Sequence, residues 1–329
     1  MRVRKVVLYG AGDLRLEESE LDAEHLREDQ VLVETVVSAM STGTELGNYE
    51  GRSTEVPGAP DYPRTVGYCN VGVGARVGSA VTALSPGQRV FSLSPHLSAF
   101  LASDQDLLVP IPSAVPSEPA SLAYLTQLGV AALRQAGYQA GESVAVVGLG
   151  VIGLGTVAAA RAMGARVTGV ANSPLRAEAA LRMGAHAVLQ SGDAATAAQA
   201  DIVILTANTW DAYRASIDLA RYGGRVSILG FPGRAQPAPP FNPLDARWLY
   251  GKQLTLLGAG FSPRVECAPA DIRFNLRRNL EFLYALMEDG RLALDSLVTH
   301  RFPPERLGEA YDLAHRHSKD LIAAVFSWR

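Results

Sequence analysis

The chain has 329 residues, more than one hydrophobic core usually serves, so two domains are expected. Hydrophobic residues make up 48% and charged residues 19%, as in ordinary globular proteins. A net charge of −3 offers nothing to nucleic acid or to an anionic membrane, so neither is expected as a partner.

The N-terminal "MRVRKVVLYG" has no apolar segment ending at a small-residue cleavage site. Up to Pro110 the chain alternates short β-branched runs with Gly and Pro ("VLVETVVSA", "VGYCNVGVGARV", "QRVFSLS", "DLLVPIP"), which predicts an antiparallel, barrel-like β domain. Pro110, Pro112, Pro116 and Pro119 then mark a change of pattern, and from Ser121 the spacing is helical. The only long apolar run, 143–163, is broken by glycines and too short to span a bilayer. Cys69 and Cys267 are far apart and form no C-x-x-C pair. A reduced, cytoplasmic protein is the expectation.

Residues 143–258 alternate apolar strands ("SVAVVGLG", "RVTGVAN", "HAVLQ", "DIVILTAN", "GRVSILGF", "QLTLLGAG") with helical stretches, the pattern of a doubly wound parallel sheet. A helix is expected in "IRFNLRRNLEFLYALMEDG", and a strand–helix–strand pattern in the tail from Leu297.

Within "VAVVGLGVIGLGTVAAARAMGA" a G-x-G-x-x-G follows a strand directly and opens an Ala-rich helix, the context that raises this motif above chance. Gly148 permits the tight turn, Gly150 lets the backbone approach a pyrophosphate, and Gly153 lets helix and strand pack closely. The anion would rest on the N–H groups around Val151 and Ile152. An NAD-selective site places a carboxylate about 20 residues further on, to bind the ribose 2′-OH. Here that position is Ala171, followed by Asn172, Ser173 and Arg176, which could together bind a 2′-phosphate, so NADP(H) is the expected cofactor. Ser173 can equally serve as a helix N-cap before Pro174. Thr206, Ala207, Gly230 and Phe231 end later strands, where ligands of such sheets lie; plain turn chemistry accounts for them as well.

The blocks "STGTELGNYEG", "YPRTVGY", "PGQRVF", "VAVVGLGVIGLG", "YGGRVSILG" and "LVTHRFPPERLGEAY" resemble the medium-chain dehydrogenase/reductase superfamily over nearly the whole chain. Within it, "STGTE", "TVGY" and "PHLSAF" are similar to the bacteriochlorophyllide hydroxyethyl dehydrogenases. The resemblance implies an α/β protein of two domains. A GroES-like catalytic β-barrel is expected from 1–118 and 292–329, and a Rossmann nucleotide domain from 119–291. It also implies hydride transfer between a nicotinamide cofactor and a small carbonyl or alcohol substrate, and a homodimer, with "QLTLLGAG" as the pairing strand.

Zinc members of the superfamily carry Gly-His-Glu where this chain has Gly67-Tyr68-Cys69, a Cys in the loop that here reads Ser41-Thr42-Gly43, and a Cys or Asp near Thr126. Their four-cysteine lobe is replaced by "FSLSPHLSAFLASDQDLL". Zinc needs three ligands drawn from Cys, His, Asp and Glu, so a metal-free site is expected. Reduction then requires hydrogen-bond donors for the developing oxyanion and a positioned acid. Tyr68, at a metal-ligand position, is the first candidate; a rim aromatic is the alternative. Thr44 matches the hydroxyl that relays the proton in zinc relatives, and Glu45 the acidic residue behind the metal. Alternatively, Thr44 caps a helix beginning at Glu45, and Glu45 pairs with an Arg. His96 is an acid/base candidate because imidazole titrates near neutrality, or else an exposed loop histidine. Tyr49 and Thr126 are candidates for the substrate pocket, with core packing the alternative for Tyr49. His300, His315 and His317 are expected at the surface. A quinone or enone reductase, and a non-catalytic NADPH-binding protein, are the competing functions.

Overall fold

The computed structural model describes residues 1–52, 61–103, 105–197, 199–234, 236–263 and 274–329. Cys267 and the first residues of the helix expected from Ile272 lie outside them. In chain order the elements begin with β1 (Arg2–Gly10), β2 (Asp13–Glu20), β3 (Gln30–Ala39), α1 (Thr44–Tyr49), β4 (Arg64–Thr65), β5 (Asn70–Val77), β6 (Arg89–Ser92), β7 (Ala99–Ser103), β8 (Val109–Pro110), α2 (Ser117–Ser121) and α3 (Ala123–Gln135). The middle of the chain forms β9 (Ser143–Val147), α4 (Val151–Ala162), β10 (Arg166–Val170), α5 (Pro174–Arg182), β11 (Ala187–Leu189), β12 (Ala200–Leu205), α6 (Trp210–Leu219), β13 (Ala220–Ile228), α7 (Ala246–Leu249) and β14 (Thr255–Gly258). Then come α8 (Leu276–Glu288), β15 (Val298–Phe302), α9 (Leu307–His315) and β16 (Ala323–Ser327).

These elements form two compact units. One comprises Met1–Tyr124, Leu280–Glu288 and Val298–Arg329; the other comprises Leu125–Asn279 and Asp289–Leu297. The first break therefore falls later than the expected 118, and Leu280–Glu288, expected in the nucleotide domain, belongs to the barrel unit. Tyr284 supplies the reason: its side chain is fully buried and its hydroxyl donates to the Ala120 carbonyl.

In the barrel unit β3 is the hub, hydrogen-bonded antiparallel to β5, β7 and β16. The C-terminal β16 thus lies beside β3, which joins the two chain ends in one sheet, ordered β15-β16-β3-β5-β6-β8. Its main core packs Val6, Leu8 and Met40 against Phe302, Tyr311 and Phe326, a set drawn from both chain ends.

The second unit is a six-stranded sheet in the order β11-β10-β9-β12-β13-β14, with every pairing parallel. Strand order reverses at β9, and a ligand crevice opens beyond the strand C-termini at such a point. That places Gly148, the first residue after β9, at the switch point.

Candidate active site

At the end of β9 each glycine of the motif does a different job. Gly148 has φ +95°, and a Cβ there would lie 2.8 Å from both the Ala207 amide nitrogen and its methyl. On Gly153 a Cβ would stand 1.9 Å from the Gly148 carbonyl oxygen, so α4 can approach the strand only because the side chain is missing. A Cβ on Gly150, by contrast, would meet nothing within 4 Å, leaving open space at the turn. No side chain caps α4, so its first-turn N–H groups, around Val151 and Ile152, remain available to an anion. This combination fits a dinucleotide pyrophosphate.

Thr206 and Ala207 follow β12, and the Thr206 hydroxyl donates to the Gly148 carbonyl at 2.6 Å, fixing the turn. Gly230 lies so close to that turn that a Cβ would sit 2.4 Å from the Ala207 carbonyl oxygen. The Phe231 N–H donates to Asn208 Oδ1, and its ring is exposed. After β10, Asn172 Oδ1 accepts the Ser191 N–H, which leaves the Asn172 NH2 to donate elsewhere. Ser173 is the N-cap of α5 with Pro174 behind it, but its hydroxyl makes no capping bond. Arg176 stands in the first turn of that helix.

The barrel unit carries a different arrangement. The Tyr68 ring is half-buried, edge-on to Tyr124 at 5.3 Å, and its hydroxyl lies against the hydroxyls of Ser41 and Thr44. Burial first, then the neighbouring Cys69 and Glu45, hold Tyr68 well above the usual phenol range. Hydrogen bonds from Ser41 and Thr44 oppose that shift, as bonds donated to the phenol oxygen do. The Tyr68 phenol thus stands beside two hydroxyls.

Beneath this hydroxyl cluster lies Glu45, 1% exposed. Its Oε1 accepts the Ser41 N–H at 2.7 Å; its Oε2 accepts the Tyr311 hydroxyl at 2.5 Å and lies 2.9 Å from His96 Nε2. His96 Nδ1 is 2.7 Å from Ser38 Oγ, and that oxygen accepts the Trp328 indole N–H at 2.9 Å. His96 is fully buried, against both expectations for it: it is neither an exposed loop residue nor open to substrate. Its segment is tied down by His96 N–H to the Val66 carbonyl, Val6 N–H to the His96 carbonyl, and Asn70 Nδ2 to the Pro95 carbonyl. Gly67 makes room for the ring: it has φ +93°, and a Cβ there would lie 2.7 Å from the imidazole.

Two further expectations are corrected. The N-cap of α1 is Gly43, without a side-chain bond, so Thr44 is the first helical residue and its hydroxyl is turned to Tyr68 rather than to capping. Glu45 pairs with a histidine, not an arginine, because α1 buries it beside the His96 segment. The pocket candidates are both packing residues. Thr126 is 1% exposed, with its hydroxyl in the space a Cβ on Gly155 would need. Tyr49 stacks obliquely on Tyr311 at 5.3 Å and bonds Asp312. At the surface, His315 pairs with Glu50 at 2.8 Å and His317 follows α9 with φ 52°. His300 is partly covered, stacked on Phe302.

Sequence reasoning missed Ser41, Ser38, Tyr311 and Trp328. The last two lie in the tail, and no local spacing links them to residue 45; only the β16–β3 pairing does.

Among the described residues no group of three or more His, Cys, Asp and Glu could hold a metal ion. Both Glu45 oxygens are occupied by donors. Burial, and then the Glu45 charge, push the Cys69 thiol well above its usual range.

Residues 151–274 match the family model described as zinc-binding dehydrogenase. L-galactonate-5-dehydrogenase of Escherichia coli (strain K12) is 28% identical over 237 residues. That match covers 68% of this chain, and the chain spans 64% of that relative's length. Among solved structures, a zinc-binding dehydrogenase from Sinorhizobium meliloti 1021 bound to NADP superposes with TM-score 0.80 at 20% identity, covering 99% of both chains. An alcohol dehydrogenase from Escherichia coli CFT073 in complex with NADH gives 0.81 at 17% identity, also with 99% coverage of both. The fold is thus that of these two-domain dehydrogenases, a GroES-like barrel with a Rossmann unit.

Proposed function

We propose that this protein is a zinc-independent, NADP(H)-dependent oxidoreductase that interconverts a ketone or aldehyde with an alcohol on a small molecule, with Tyr68 as the proton donor. One observation carries the reading: the Tyr68 phenol lies beside the Ser41 and Thr44 hydroxyls, at the position that the resemblance matches to a metal ligand of zinc relatives. With the Ser41 and Thr44 hydroxyls donating to the phenol oxygen, the Tyr68 O–H would be the group that donates to a substrate carbonyl. Hydrogen bonds aligned in this way strengthen one another in a dry site, where they stabilise a developing oxyanion most. The cofactor, when bound, supplies or accepts the hydride. Gly148, Gly150 and the α4 N-terminus would hold its pyrophosphate; Asn172, Ser173 and Arg176, with no carboxylate at Ala171, suit a 2′-phosphate.

The resemblance of the "STGTE" loop and the curated relative both concern alcohol oxidation, which favours a carbonyl–alcohol couple. A donor-only site would also serve an enone reductase, since hydride addition to carbon needs only oxyanion donors. The homodimer expected from the resemblance would use β14, the edge strand of the parallel sheet, and light scattering in solution tests it.

The test is NADPH oxidation by chelator-treated protein with ketones and enones side by side. The expected result is ketone turnover that survives chelation and exceeds that with NADH. Tyr68→Phe should lower kcat by about 10²–10³-fold while leaving the NADPH dissociation constant unchanged. Consumption of enones alone would establish the C=C reductase instead. NADPH binding without any turnover would leave a non-catalytic binding protein, and rescue by added zinc would end the metal-free reading.

A further inference from the structure

Ser38, His96 and Glu45 stand in the order of a proton relay: hydroxyl, imidazole, carboxylate, at 2.7 and 2.9 Å. Two features argue against relay. The row is sealed, with Ser38, His96 and Glu45 at 0%, 0% and 1% exposure. Its far end is the Trp328 indole, which donates and cannot accept, so no proton can be passed onward through it. The donor inventory fixes the direction at the Trp328 end and at the carboxylate end, since an indole N–H only donates and an ionised Glu45 only accepts. The Trp328 N–H fills one of the two acceptor positions on Ser38, which leaves the Ser38 proton to go to His96 Nδ1 when that nitrogen is unprotonated. The His96 Nε2–H goes to Glu45, which also takes the Tyr311 hydroxyl and the Ser41 N–H.

We propose that this row is a static anchor, in which a neutral His96 protonated on Nε2, with Tyr311, fixes the Glu45 carboxylate, and Glu45 fixes the Ser41–Thr44 turn that presents two hydroxyls to Tyr68. Glu45, His96, Tyr311, Ser38 and Trp328 are thus positioning residues, and the inference rests on the reading of Tyr68 as the proton donor. The row couples β16 to the reacting hydroxyls through Trp328 and Ser38, and α9 through Tyr311. It also accounts for Gly67, whose missing side chain admits the imidazole. Proton resupply to Tyr68 must then come from the Ser41 and Thr44 side of the phenol rather than through His96.

The anchor and the relay separate on four variants and one spectrum. His96→Gln keeps an N–H donor for Glu45 but cannot carry a proton: the anchor predicts a kcat within about threefold of wild type, whereas His96→Ala loses about tenfold. Trp328→Phe, remote from the reaction, should lower kcat about tenfold with KM and NADPH affinity unchanged, and Glu45→Gln should lower it further. A His96→Gln loss as large as that of Tyr68→Phe would establish the relay. Lower Tm with unchanged kcat in Trp328→Phe and Glu45→Gln would reduce the row to packing. Nitrogen NMR of histidine-labelled protein, with His96→Gln assigning the resonance, reads the tautomer without any turnover. An Nε2–H neutral ring supports the anchor, and an imidazolium or an Nδ1–H ring overturns it. If instead Tyr68→Phe keeps full activity, or the wild type turns nothing over, the proposed function fails while the NMR result still decides the anchor.

Discussion

The βα turn around Gly148 and the hydroxyl cluster around Tyr68 solve opposite problems. The turn must leave a charge-binding space empty, and it does so within a few consecutive residues by omitting side chains. The cluster must hold polar groups in fixed positions over a buried carboxylate, and it draws on β3, α1, the segment before β5, the loop after β6, α9 and β16 to satisfy them. A ligand site made of backbone can be local, because each peptide brings its own donor. Buried side chains need partners, and partners come from wherever the fold supplies them.

Alkaline pH should separate the two units most strongly. Cys69, Tyr284 and Tyr311 of the barrel unit are fully buried, and burial holds each well above its usual range. In the nucleotide unit Tyr138 and Tyr213 are raised for the same reason, but both are less enclosed. Above about pH 9 the unfolded chain loses protons that the native barrel keeps, so the native state binds more protons and stability falls as pH rises. Each such group steepens the decline by up to about 1.4 kcal/mol per pH unit. Tyrosinate absorbance followed against pH should show these phenols ionising only as the barrel unfolds; smooth titration of all tyrosines in folded protein would contradict the burial.

Gly67→Ala attacks the same cluster at one atom. A Cβ in the left-handed region and against the His96 ring should cost about 3 kcal/mol, read as a Tm lower by roughly 10 °C in calorimetry. An unchanged Tm would mean that the imidazole can move aside.

The smallest effect is expected at the other site. Because a Cβ on Gly150 meets nothing, Gly150→Ala should fold with unchanged Tm yet bind NADPH about tenfold more weakly, by fluorescence titration. Lost stability with intact binding would assign that glycine to packing instead.

Legibility in the sequence follows the same division. The parallel sheet, its helices and the roles of Gly148 and Gly153 were readable because strand, turn and helix are contiguous and each glycine answers to a neighbour in the motif. Tyr68, Thr44 and Glu45 stand out only by resemblance, and the sequence does not give their partners: an arginine is one reading for Glu45 and a surface loop one of two for His96, whereas the two side chains are buried against each other. Thr126 reads as a pocket candidate and Tyr49 as a pocket or a core residue; in the structure both pack between helices. No periodicity could have announced that Trp328, next to the last residue, reaches Ser38.

By itself the sequence determined the two-domain plan, the doubly wound sheet and a dinucleotide turn, since backbone conformation, glycine geometry and apolar periodicity are local properties. Tertiary structure alone decided that Glu45, His96, Ser38, Tyr311 and Trp328 form one satisfied row. Burying a carboxylate demands several donors at once, and only the closure of the barrel through β16 and α9 brings them within hydrogen-bond distance.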